Sequence, residues 1–103
     1  MGKNRDIEFL VRLLVNTVVH EIVIKHTHKS ESKHFLDSEI IEYRGQTEKV
    51  AEQRNWNDKD KENIKEKALK KIREKLEFKY PDISFSEKEA KIFLEKEINN
   101  LNL

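Results

Sequence analysis

Residues 6–25, DIEFLVRLLVNTVVHEIVIK, constrain this 103-residue chain more than any other stretch, because they hold its densest run of apolar side chains. Read as a helix, the run places Ile7, Phe9, Leu10, Val11, Leu13, Leu14, Val15, Val18, Val19, Ile22, Val23 and Ile24 over most of the circumference. Glu8, Arg12, Asn16 and His20 recur every fourth residue and form one narrow polar stripe. A helix apolar nearly all round is normally buried, so the remaining chain has to supply surfaces that cover it.

That remainder is poor in apolar residues. Charged side chains make up 40% of the sequence and hydrophobic ones 36%, yet the hydrophobic ones are periodic, which argues against disorder. A length of 103 residues supports one domain with a small core. Twenty-one basic against 20 acidic residues leave a net charge of +1, so no global field points to an anionic partner. There is no cysteine, which excludes disulfides, thiolate metal sites and thiol nucleophiles and fits a cytoplasmic protein. A membrane span over residues 7–24 is opposed by Arg12, Asn16, His20 and Glu21, since charges near a bilayer centre cost roughly 2.5–3.5 kcal/mol each.

Four helices are expected. The first covers about 5–25, although the β-branched residues 22–28 also suit a strand. Residues 26–37, HTHKSESKHFLD, are polar and aperiodic and read as a connecting loop. A second helix over about 38–55 carries Leu36, Ile40, Tyr43, Thr47 and Val50 as a thin seam, with Gly45 as either a break or a point of close helix approach. The third, over 58–79, is capped by Asn57 and striped by Ile64, Ala68, Leu69, Ile72 and Leu76 before Pro81 ends it. Ser86-x-x-Glu89 opens a fourth helix over 87–100, buried through Ala90, Phe93, Leu94, Ile98 and Leu101. The expected fold is an all-α bundle of about four helices, one domain over 1–103, built around the N-terminal helix. If the narrow faces of the later helices cannot cover that helix, a second subunit must, through Leu10, Leu14 and Val18, and a homodimer follows.

Three features could carry chemistry. His26, His28 and His34 form a candidate metal set, His-x-His placing two imidazoles on one side of an extended segment. The spacing lacks the His-Glu-x-x-His pattern, and surface loop histidines explain it without a ligand. Lys67, Lys70, Lys71 and Arg73 make the third helix basic, nine basic against six acidic residues over 58–80. Interleaved Glu62, Glu66 and Glu74 break the single-signed stripe a phosphate backbone wants, which weighs against a nucleic-acid partner and for a solvated face. The polar stripe of helix 1 faces either water or, as a register-setting line, a second subunit. Catalysis has little support: with two glycines there is no phosphate-cradling loop, and no nucleophile motif occurs.

From Val50 onward, Val50–Ala51–Glu52–Gln53, then Ala68, Ile72 and Leu76, then Ile83–Ser84 and Ser86–Glu87, and finally Phe93–Leu94–Glu95 before Ile98–Asn99–Asn100–Leu101–Asn102, follow a pattern. It resembles the soluble C-terminal helix pair of LL-H-type phage holins. The resemblance covers residues 50–102 and implies a phage-associated or related helical protein. Arg12, His20 and Glu21 depart from the membrane helix that precedes this tail in that family.

The sequence therefore favours a non-catalytic helical protein acting through protein–protein contact or self-association, with no cofactor. A nucleic-acid-binding regulator using helix 58–79 and a histidine metal site in 20–34 stand as alternatives.

Overall fold

The computed structural model describes residues 2–26, 30–53, 55–81, 83 and 85–101. It comprises four helices, α1 (Gly2–His26), α2 (Ser30–Glu52), α3 (Asp58–Lys79) and α4 (Glu87–Asn100), with no strand among the described residues. This is a small all-α bundle. The β-branched stretch that could have been a strand continues α1 as far as His26.

Each helix end has a local cause. Trp56 donates its indole N–H to the Ala51 carbonyl at 2.9 Å, satisfying one of the carbonyls orphaned where α2 stops. Asn57 then caps α3. Its Oδ1 accepts from the Asp60 N–H at 2.8 Å while Asp60 Oδ2 accepts from the Asn57 N–H at 3.2 Å, a reciprocal capping box. Ser86 Oγ accepts from the Glu89 N–H at 3.0 Å and starts α4. The Glu89 carboxylate is used elsewhere, on Lys25 and His26 at the far end of α1.

α1 sits at the centre: it packs against α2, α3 and α4, α3 also packs against α4, and α2 lies along α1 alone. Ion pairs set the directions. Lys65 meets Glu95 and Arg73 meets Glu87, so α3 and α4 run antiparallel, while Lys25 and His26 meeting Glu89 place α4 antiparallel to α1. Ile7, Leu10, Val11, Leu13, Leu14, Val15, Val18, Val19, Ile22 and Val23 of α1 are buried with Val50, Ile64, Ala68, Ile72, Leu76, Ala90 and Leu94. Two buried hydroxyls find partners on their own helices, Thr17 donating to the Leu13 carbonyl at 2.9 Å and Thr47 to that of Tyr43 at 2.6 Å.

Two expectations need correction. The loop over 26–37 is helical from Ser30 onward. Lys33, His34, Phe35 and Asp37 are good enough helix residues to extend α2 by two turns beyond the core, where nothing demands an apolar repeat. Leu10, Leu14 and Val18, expected at a subunit interface, are no more than 1% exposed within one chain. Three narrow helix faces do suffice to cover them, so they have no surface to offer a second copy. Gly45 does not break α2.

Candidate functional site

The polar stripe of α1 divides between solvent and the bundle. Glu8 and Arg12 are exposed, and the Arg12 guanidinium lies 5.6 Å from the Phe9 ring centroid. One turn on, Asn16 accepts a hydrogen bond from Lys75 of α3. His20 is half-buried, pairs through Nε2 with Glu39 of α2, and meets the Tyr43 ring edge-on at 5.4 Å. Burial and the nearby Lys79 hold the Lys75 ammonium below its ordinary range.

Beside His20 the bundle holds a charged cluster drawn from three helices. Glu97 of α4 has a side chain only 5% exposed and Glu21 of α1 9%, and Arg44 of α2 reaches over both. Arg44 Nε donates to Glu97 Oε1 at 3.0 Å, Nη2 donates to the same oxygen at 2.5 Å, and Nη2 lies 3.3 Å from Glu21 Oε1. Three charged groups cannot share this space as two anions and one cation without cost. Burial, then the hydrogen bond and repulsion from Glu97, push the Glu21 carboxyl up to about 8 against the pull of Arg44 and Lys96. Burial also works to raise Glu97, but hydrogen bonds from Glu21 and Arg44 outweigh it and hold that carboxyl below the usual range. At neutral pH the set is therefore one protonated carboxyl, one carboxylate and one guanidinium, a closed and nearly neutral unit. It joins α2 to α4, which do not otherwise approach.

A groove of about 370 Å³ opens beside Arg44 and Glu97, also bounded by Thr47, Glu48 and Lys96. The Glu97 oxygens that border it are already taken up by Arg44. The cluster thus works as a clamp between helices, not as an acid and base free to meet a substrate.

The residues singled out from sequence fall in separate places. His26 Nε2 is 3.2 Å from Glu89 Oε1, His34 stands exposed on α2, and His28 lies outside the described residues. Among the described residues no three His, Cys, Asp or Glu side chains converge to hold a metal ion. Lys67, Lys70 and Lys71 are exposed on the side of α3 that borders α1. Arg73 is turned to α4, where it pairs with Glu87. Sequence reasoning missed Arg44 and Glu97. The signal for Glu97 was present: it stands three residues after Leu94 and four before Leu101, a position the apolar face of α4 would claim.

Large apolar side chains also stand in water, Phe35 and Ile41 on α2, Phe78 on α3 and Ile92 on α4. Among the described residues, no helix is long and apolar enough to cross a membrane. Compared with known protein families, characterised proteins and solved structures, the chain matches none.

Proposed function

We propose that this chain is a non-catalytic helical module that acts by self-association, two copies meeting across the outer face of α2. The observation that carries the reading is the make-up of that face. Phe35 and Ile41 are 64% and 71% exposed and flank its midline, where Ser38 and Gly45 lie two turns apart. Helical register directs Ser38 and Gly45 away from Leu36, Ile40, Tyr43 and Thr47, the side that meets α1. A Cβ built on Gly45 would have nothing within 4 Å. Small residues on a midline let a second helix approach closely, and the large ones beside it supply the apolar area to bury.

Charge fits the same arrangement. In an antiparallel crossing centred on Gly45, Glu42 of one copy falls beside Lys49 of the other, and the two-fold axis repeats the pair. Glu42 and Lys49 are exposed and so available to a partner, while the Ser38 hydroxyl is turned back onto the His34 carbonyl at 3.2 Å.

Light scattering or sedimentation over rising concentration tests this. The mass should climb from one chain toward two, and the double variant Phe35→Glu/Ile41→Glu should stay at one chain with its helical signal and melting intact. A single-chain mass up to about 1 mM, where even weak complexes form, would overturn the proposal. So would undiminished dimer in the double variant.

A further inference from the structure

The structure does what the sequence of α3 alone could not: it brings cations from a second helix to Lys67, Lys70 and Lys71. α1 and α3 are both antiparallel to α4 and so run side by side in the same direction. The furrow between them is bordered by Arg5, Glu8, Phe9, Arg12 and Lys71. An adjoining hollow that shares Glu8 and Lys71 adds Lys67, Lys70 and Glu74. All of these side chains are exposed, and five cations face two carboxylates. Of the three acidic residues that break the one-signed stripe on α3, Glu62 and Glu66 do not border the furrow, while Glu74 does.

Aromatic surface accompanies the charge. Phe9 is 37% exposed in the furrow under the Arg12 guanidinium. Phe78 is 86% exposed and lies seven residues from Lys71, two turns on along the same face of α3. Nothing in the core needs Phe78.

We infer that the α1–α3 furrow binds single-stranded nucleic acid, the cations tracking the phosphates and Phe9 and Phe78 offering faces for bases. Positive grooves with interspersed aromatic rings are the physical means by which single strands are held without sequence preference. A membrane surface suits it less well, because the apolar faces of α1 and α3 are spent on the core and leave only two rings to insert. This surface is independent of the α2 face, so either proposal can fail alone.

Fluorescence anisotropy of a labelled oligothymidylate of about 20 nucleotides, titrated with the full chain at several salt concentrations, tests the inference. Binding should weaken with salt with a log–log slope near −2, as expected for about three net phosphate contacts on a single strand. Lys67→Gln/Lys71→Gln should weaken binding at least about tenfold and reduce the slope by about 1.4. Lys88→Gln/Lys91→Gln, which removes the same charge from exposed sites on α4, should change the affinity less than about twofold. Phe78→Ala should cost roughly 5-fold or more, since a stacked base is worth about 1–3 kcal/mol. The inference is overturned by absence of salt-sensitive binding, by equal losses in the two lysine pairs, or by binding to phosphatidylserine vesicles with none to the oligonucleotide.

Discussion

Replacing Glu21 by Gln should change how stability depends on pH while leaving the bundle intact. The folded state raises the Glu21 carboxyl from 4.5 to about 8, chiefly through burial and then through Glu97. Because the folded chain holds this proton more tightly than the unfolded chain, the contribution is fully present below pH 4.5. It is withdrawn as pH rises from there through about 8. Each pH unit across that window is worth up to about 1.4 kcal/mol, so the wild type should lose as much as about 4 kcal/mol between pH 5 and 8. Glu97 acts in the opposite sense and at lower pH: its depressed carboxyl contributes stability above 4.5 that is lost as pH falls toward its folded value. Gln is a neutral isostere of the protonated Glu21 and keeps a donor toward Glu97. Glu21→Gln should therefore match the wild type near pH 5 and exceed it increasingly toward pH 8. Urea or thermal melts at half-unit intervals read the difference directly, roughly 4–8 °C in Tm per kcal/mol for a chain of this size. Parallel stability curves for the two proteins from pH 5 to 8 would refute the shared-proton cluster.

Leu10→Ala should destabilise by about 2–5 kcal/mol, because Leu10 is fully buried, and the loss should be the same at every protein concentration. A cost that grows with dilution would place Leu10 between subunits. Gly45→Ala should stabilise the monomer by about 0.4–1 kcal/mol in urea unfolding, since the site is helical and open to solvent. Asn57→Ala removes one half of the α3 capping box and should cost about 1 kcal/mol in the same assay.

The helices were legible where packing imposes a repeat, and illegible where it does not. α3 announced itself through Asn57 and the spacing of Ile64, Ala68, Ile72 and Leu76, and its observed ends agree with that reading. The first turns of α2 escaped because they extend past the core, so Lys33, His34 and Phe35 carry no periodic signal and look like loop. The buried arc of α1 was visible, but not whether one chain could cover it. That depends on how three narrow faces fit together, a property of their packing and not of any one segment. The Glu21–Arg44–Glu97 cluster was hidden for a related reason: its members come from three helices, and only Glu97, at an apolar position, hinted at a buried partner. The α1–α3 furrow was half legible: its lysines were evident in α3, while Arg12 read as part of the polar stripe of α1 and Arg5 gave no signal.

The core is sealed within one chain, and the proposed partner surface lies on the outside of α2. The absence of cysteine allows a single spin label at Glu48→Cys, an exposed site on α2 beside that surface and outside the Glu42–Lys49 pair. Labelled chain mixed with isotope-enriched, unlabelled chain would report which amides of one copy approach α2 of another. Paramagnetic broadening should concentrate between residues 35 and 49 of α2 and grow with concentration, with α3 unaffected. Broadening centred on α3, or none at any concentration, would overturn self-association through α2.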